Sequence, residues 1–113
     1  MSYMTTLDIA HPPMRSEDAE LLLDQSLRQM STGSTVRALK IVHGYGSKGT
    51  SSILKSVVTD WTHKRRSTVR AIISGPEYSV YNSTTQSMRK ECGQIADADL
   101  ESANPGITIL WIK

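Results

Sequence analysis

Two stretches of the chain repeat their apolar residues at three- and four-residue spacing, and this pattern constrains the fold more than any other feature of the sequence. The first stretch begins at Ser16, a favourable helix N-cap, and ends before Gly33, whereas the second runs from about Thr50 to Lys64. Each stretch predicts a helix with one apolar stripe, which has to be buried against another layer of the protein. The stripes consist of Ala19, Leu22, Leu23, Leu27 and Met30 in the first helix and of Ile53, Leu54, Val57, Val58 and Trp61 in the second.

Short apolar runs lie before, between and after these helices, and they predict β-strands. The runs cover residues 3–9, 39–42, 69–73 and 107–112. Pro12 and Pro13 end the first run, because a proline cannot donate a hydrogen bond to a sheet and disfavours helix in the residue before it. The last run follows a turn signal at residues 104–106, and its apolar character predicts a largely buried strand.

The order of these elements is βαβαβ, then a polar segment at residues 77–104, then a last strand. We therefore expect a single α/β domain (α+β, two-layer) in which the helices pack on a mixed sheet through right-handed crossovers. The length of 113 residues suits one domain and not two. Within the polar segment, residues 84–91 predict a third helix that Gly93 would terminate.

The basic residues are concentrated in the middle of the chain. Residues 37–70 carry eight of them against Asp60 alone, a formal charge of +7, while the segments before and after carry −3 and −2. Such a stretch attracts phosphate polymers through counterion release, so we expect a nucleic-acid partner; a solvated basic helix face is the alternative. The eight residues are Arg37, Lys40, Lys48, Lys55, Lys64, Arg65, Arg66 and Arg70.

Cysteine content and hydropathy predict a soluble protein of the cytoplasm with no membrane partner, and we expect a monomer. Cys92 is the only cysteine, which excludes an intramolecular disulfide and a zinc site with several thiolates. Nowhere do about 18 apolar residues follow one another, and the first residues do not show a basic region followed by an apolar run.

A glycine-rich loop connects the second predicted strand to the second helix. Glycines allow a positive φ and a close approach of the backbone, and free N–H groups at a helix start attract phosphate. The spacing from Gly44 to Gly49 is close to that of the nucleotide P-loop, but Thr50 stands where that motif has lysine, which excludes a P-loop nucleotide hydrolase. The alternative is that the glycines only permit a tight turn and that His43 is a buried imidazole with satisfied hydrogen bonds.

The loop and its surroundings resemble the central signature of the Smr (small MutS-related) domain. The signature is Leu39-Lys40-Ile41-Val42-His43-Gly44-Tyr45-Gly46-Ser47-Lys48-Gly49, followed by the second helix. Residues 7–9 and 104–109 resemble the opening and the final strand of that family. The resemblance implies a βαβαββ fold akin to the C-terminal domain of bacterial translation initiation factor three. It also implies nucleic-acid binding, with structure-directed DNA nicking or RNA endonuclease activity in some members.

The opening motif of the family, leucine-aspartate-x-histidine-glycine, is altered in this chain. Here the sequence is Leu7-Asp8-Ile9-Ala10-His11-Pro12, with one extra residue before the histidine and proline in place of glycine. Residues three apart in a strand point to opposite faces, so Asp8 and His11 are expected to diverge unless the chain bulges before Pro12.

The resemblance places candidate catalytic residues at Asp8, His11 and His43. Asp8 would orient His11 or help hold a divalent ion such as magnesium, while a histidine moves a proton. The alternative is that Asp8 caps the strand end and His11 is an exposed loop residue. Candidate nucleic-acid contacts are His43, Gly44, Tyr45, Gly46, Ser47, Lys48, Lys55, Lys64, Arg65 and Arg66.

The sequence assigns no metal site, and one segment of it leaves another function open. No spacing of three metal ligands is evident, so the sequence assigns no metal site. The polar segment 77–104, with Tyr78 and Tyr81, could instead bind a protein partner, which would make the chain a catalytically inactive interaction module.

Overall fold

The computed structural model describes residues 3–31, 35–44 and 50–113, and it confirms all the predicted strands and helices. The elements are β1 (Met4–Asp8), α1 (Ser16–Ser31), β2 (Ala38–Val42), α2 (Thr50–Lys64), β3 (Val69–Ser74), α3 (Ser83–Cys92) and β4 (Ile107–Ile112). A turn of 3-10 helix, Gly75–Glu77, follows β3 and was not predicted. The bounds of α2 and β4 agree with the prediction. β2 and β3 differ from it by one residue at one end, and β1 and α3 by one residue at each end, within the usual uncertainty of element ends.

The four strands form one mixed sheet in the order β1-β2-β4-β3, which confirms the predicted α+β class. β1 is parallel to β2, and β4 is antiparallel to both of its neighbours. The carboxyl ends of β1, β2 and β3 therefore lie together with the start of β4, and we call this end the top of the sheet. The bottom is the opposite end, where β1, β2 and β3 begin and β4 terminates.

Helices α1 and α2 cover one face of the sheet. Leu39 and Ile41 of β2 and Leu110 of β4 pack in one buried cluster with the apolar stripes of both helices. Trp61 of α2 donates its indole N–H to the carboxylate of Asp24 on α1 at 2.9 Å, so the two helices are also joined by a hydrogen bond. The stripe of α1 is core or packs against it, and in α2 Leu54, Val58 and Trp61 are core, whereas Val57 is only partly buried and Ile53, predicted to be part of the stripe, is 55% exposed.

The polar segment 77–104 covers the opposite face. Tyr78 and Met88 are fully buried and pack against Ala38, Ile109 and Trp111 of the sheet. The segment is therefore a layer of the fold, and this packing accounts for its length. That it also binds a protein partner stays a prediction.

A buried ion-pair network fastens this segment to β2. The ammonium of Lys40 lies 2.6 Å from the Asp97 carboxylate and 2.8 Å from that of Asp99, and the Tyr78 hydroxyl donates to Asp97 at 2.9 Å. Burial lowers the pKa of Lys40, but the two carboxylates outweigh it and hold the pKa above its usual value. Lys40 thus belongs to the interior, although the sequence counts it in the basic stretch.

No helix in the described part of the chain combines the length and the apolar character that crossing a bilayer requires.

Candidate functional site

The chain turns sharply at the top of β1, and the turn brings His11 to Asp8. β1 ends at Asp8, and the N–H of Ile9 still bonds to Val42 of β2 at 3.0 Å. A bridge between Ala10 and Pro13 then closes a turn that contains a cis His11–Pro12 peptide. The divergence expected for a regular strand does not occur, because the strand ends at Asp8 and the chain turns before Pro12, so the exception stated for an irregular chain at this point applies.

Asp8 both caps the strand end and bonds to the imidazole. Its Oδ1 accepts the backbone N–H groups of Ala10 at 2.8 Å and His11 at 3.1 Å, and Nδ1 of His11 lies 3.0 Å from Oδ2. Burial raises the pKa of Asp8, but the hydrogen bonds from Ala10 and His11 outweigh it and lower the pKa below its usual value. The carboxylate is therefore ionised near neutral pH and can only accept hydrogen bonds.

This arrangement fixes the tautomer of a neutral His11. Because the carboxylate accepts from Nδ1, that nitrogen carries the proton and Nε2 keeps its lone pair. The side chain is 71% exposed, and within residues 3–31, 35–44 and 50–113 Nε2 has no hydrogen-bond partner. A ring nitrogen able to accept a proton therefore faces solvent beside a carboxylate that would stabilise the charged imidazole.

His43 lies in the opposite kind of environment. It is 1% exposed, with Nδ1 2.8 Å from the Gly44 carbonyl oxygen and Nε2 2.8 Å from the Thr108 hydroxyl. Since a carbonyl oxygen only accepts, Nδ1 donates and Nε2 accepts from Thr108. Burial lowers the pKa of His43, and the nearby charge of Lys55 lowers it further despite the bond to Gly44. His43 is therefore a neutral, buried imidazole with both nitrogens hydrogen-bonded, which is the alternative given for it in the sequence analysis.

We expect the buried His43 to make the protein less stable as the solution becomes mildly acidic. Its pKa is lowered in the folded state, so the stability it contributes above its ordinary value of 6.5 is lost as the pH falls below that value. The slope from this one group approaches about 1.4 kcal/mol per pH unit. Denaturant unfolding between pH 7 and 5 should therefore give a flatter profile for His43→Gln than for the wild type. The exposed His63 provides the control, and equal flattening by His63→Gln would contradict the assignment.

Gly44 and Gly106 hold the base of the glycine loop against the start of β4. The N–H groups of His43 and Gly44 both donate to the Gly106 carbonyl oxygen, at 2.9 and 3.1 Å. Gly44 has a φ of 87°, and a Cβ on Gly106 would lie 3.2 Å from the Gly44 carbonyl carbon. These two amides are thus used internally. Tyr45, Gly46, Ser47 and Lys48 lie outside the described residues, so phosphate binding by the rest of the loop stays a prediction.

Sequence reasoning did not identify Thr108 and Gly106 as partners of the loop. The signal was the position of Gly106 directly before β4, whose residue Ile107 pairs with Val42 at the end of β2. The position of Gly106 points to a contact with the loop only when the pairing of β2 with β4 is known.

The predicted basic contacts separate into different places. Lys55 is exposed in the first half of α2 and acts on the pKa of His43, so it lies near the top of the sheet. Lys64 and Arg66 are exposed at the other end of this helix, which is about 22 Å long. Arg65 is only partly exposed, because it pairs with Asp24 at 2.5 Å and lies over the Trp61 ring at 4.9 Å. The basic stretch is therefore not one continuous footprint.

The described residues contain no group of three or more histidine, cysteine or acidic side chains placed to hold a metal ion. Asp8, the residue considered above for holding a divalent ion, already uses its oxygens on backbone amides and on His11. What this part of the chain offers is an acid–base pair.

Comparison with known proteins supports the resemblance seen in the sequence. The family model of the Smr domain matches residues 11–113, nearly the whole chain, and the match begins at His11, so Asp8 lies just outside it. No curated protein and no solved structure matches the chain.

Proposed function

The chain belongs to the Smr domain family, and on that premise we propose that it binds nucleic acid at the top of its sheet and cleaves a phosphodiester bond there with His11 as the proton-transfer group. The single observation that carries the proposal is the Asp8–His11 pair, with Nδ1 held at 3.0 Å and the other ring nitrogen exposed. Such a pair suits general acid–base catalysis, because the carboxylate fixes the tautomer and stabilises the protonated ring.

Binding at this end would depend on charge and on the glycine loop. Lys55 supplies an exposed cation on the first half of α2. The loop itself begins at Gly44, whose carbonyl oxygen is fixed by the buried His43 ring. We therefore assign His43 a positioning role at the base of the loop and expect contacts mainly to phosphates, with little selectivity for base sequence.

In the reaction, Nε2 of His11 would accept the proton of the oxygen that attacks phosphorus. As the new O–P bond forms, the ester bond from phosphorus to the leaving oxygen breaks, and that oxygen takes a proton from solvent or from the imidazolium. The Asp8 carboxylate would then lie beside the positive imidazolium, which stabilises it at the moment when charge develops. Because both Asp8 oxygens are occupied, orientation of His11 explains this residue better than metal binding does.

The proposal is tested by Asp8→Asn. The amide oxygen can still accept from the Ala10 and His11 N–H groups, while the amide NH2 would donate to Nδ1 and move the ring proton to Nε2. We expect cleavage at saturating nucleic acid to slow by about 10²-fold, with no loss of affinity. The measurement is strand scission of labelled DNA and RNA substrates under single-turnover conditions.

The control is Asp18→Asn, which removes the same charge from the exposed first turn of α1. Equal rates in the two variants would contradict the role of Asp8. Affinity that does not fall with rising salt concentration would contradict phosphate binding itself.

A further inference from the structure

An open cleft lies at the bottom of the sheet, at the end away from Asp8 and His11. It has a volume of about 540 Å³, and its lining includes Arg37, Arg70 and Lys113. Backbone bonds fix two of the chain segments that carry these residues: Ile112 donates to Arg37 at 3.0 Å and Lys113 donates to Thr68 at 3.1 Å. The cations thus project from neighbouring strand ends of a rigid sheet.

The formal charge of the cleft is positive. Among the side chains that line it, three are cationic and one is anionic, that of Glu91, which pairs with Arg70 at 2.6 Å. The Arg70 guanidinium also lies over the Trp111 ring at 4.7 Å and remains 43% exposed. Held in this way, the group loses little conformational freedom when it binds a planar or tetrahedral anion.

Two further exposed cations lie at the same end of the sheet, although they do not line the cleft. Lys64 and Arg66, both exposed, lie at the end of α2 and in the turn that leads to β3. Thr68, which accepts from Lys113, belongs to that turn and donates to Arg65 at 2.9 Å. The bottom of the sheet therefore carries exposed cations both in the cleft and beyond it, which fits an extended polyanion better than a single small anion.

We propose that this cleft is a second nucleic-acid surface, at which Arg70 and Lys113 bind backbone phosphates. Strands of five or six residues separate it from the top of the sheet by roughly 17–20 Å, so it contacts a different segment of nucleic acid from the one at His11. The inference rests on the proposed function only in its choice of nucleic acid as the polyanion.

The two surfaces are distinguished by an NMR titration of the 15N-labelled protein with a 12-nucleotide single strand and with the matching duplex. Resonances of the Trp111 indole N–H and the Lys113 amide report on the cleft, and those of Ala10 and Gly44 report on the top. We expect both groups to shift. Shifts at the top alone would overturn the second surface and leave the proposed function standing. Shifts at the cleft alone would overturn binding at the top of the sheet and support the second surface. No shifts at either place would overturn both proposals.

Charge changes in the cleft give an independent test. Lys113→Gln should weaken binding about eightfold at 0.1 M salt and lower the salt slope by about 1, which is the contribution of one phosphate contact. Glu91→Gln should strengthen binding, because it removes the one negative lining charge. Cleavage at saturating nucleic acid should change in neither variant. Lys113→Arg, which keeps the positive charge, is the matched control, and an equal loss of affinity in that variant would overturn the proposal.

Discussion

Replacing Lys40 with methionine is expected to lower the free energy of unfolding by about 3–5 kcal/mol. The methylene chain of Lys40 would be matched in size, but the carboxylates of Asp97 and Asp99 would be left together without a cation in a site where Lys40 and Asp97 are less than 10% exposed. Removing one partner of a buried pair costs far more than the intact pair contributes, because the remaining charge is poorly solvated. Denaturant titration near neutral pH measures the change.

The pH of that measurement follows from the two pKa shifts. Although burial raises the pKa of Asp97, its bond from Lys40 lowers it below 3.8, so its stabilising contribution is present above that value and lost as the pH falls through the folded-state pKa. The pKa of Lys40 is held above 10.5, so its contribution is present below that value and lost as the pH rises. At neutral pH the stabilising contributions of both Lys40 and Asp97 are therefore fully present.

The loss should be concentrated in the layer formed by residues 77–104. Amide hydrogen exchange of Lys40→Met should show α3 losing protection before α1. The reason is that the ion pair fastens residues 77–104, which include α3, to the sheet, whereas it does not contact α1. Lys90→Met, on the exposed surface of α3, is the matched control and should stay within about 0.5 kcal/mol of the wild type. A similarly small change for Lys40→Met would show that the pair does not hold this layer.

Gly75→Ala should destabilise the protein by more than about 3 kcal/mol. A Cβ at this position would overlap the backbone carbonyl oxygen of Asn104 and would lie 2.9 Å from Cγ1 of Ile107. The obstacle is backbone directly before a central strand, so it cannot rotate away as a flexible side chain does. The expected result is a large fall in the denaturant midpoint or in the yield of folded protein.

Ser87→Ala provides the comparison for that substitution, since Ser87 is exposed on α3 and alanine suits a helix. It should be neutral or slightly stabilising. Wild-type stability in Gly75→Ala would mean that the turn after β3 and the segment at Asn104 separate easily, contrary to the packing described.

The elements of this fold were predictable because their signals are local. The apolar spacing of α2 and the apolar run of β4 specify elements whose ends agree with the structure. The ion pairs were not predictable, since Lys40 and Asp97 are 57 positions apart and meet only when residues 77–104 fold over the sheet. Summing charges along the chain counted Lys40 and Arg65 as available, although the fold pairs both with acidic residues.

In the candidate site, too, the residues were predictable from the sequence, whereas their environments depend on distant parts of the chain. The resemblance named Asp8, His11 and His43, but it did not separate their environments. Strand periodicity gave the wrong relation between Asp8 and His11, because it does not include the turn that Asp8 stabilises through its bonds to Ala10 and His11. The burial of His43 depends on Thr108 from β4, whose pairing no local pattern specifies.

The position of β4 has a consequence for how the protein is made. The strand that occupies an inner place between β2 and β3 is the last of the four in the sequence. During synthesis β3 has no neighbour to pair with until residues 107–112 leave the ribosome, and His43 lacks its Thr108 partner until then. β1 and β2 pair with each other and need no β4, but β3 joins the sheet only when β4 pairs with β2 and β3, and this non-local closure should be slow compared with helix formation.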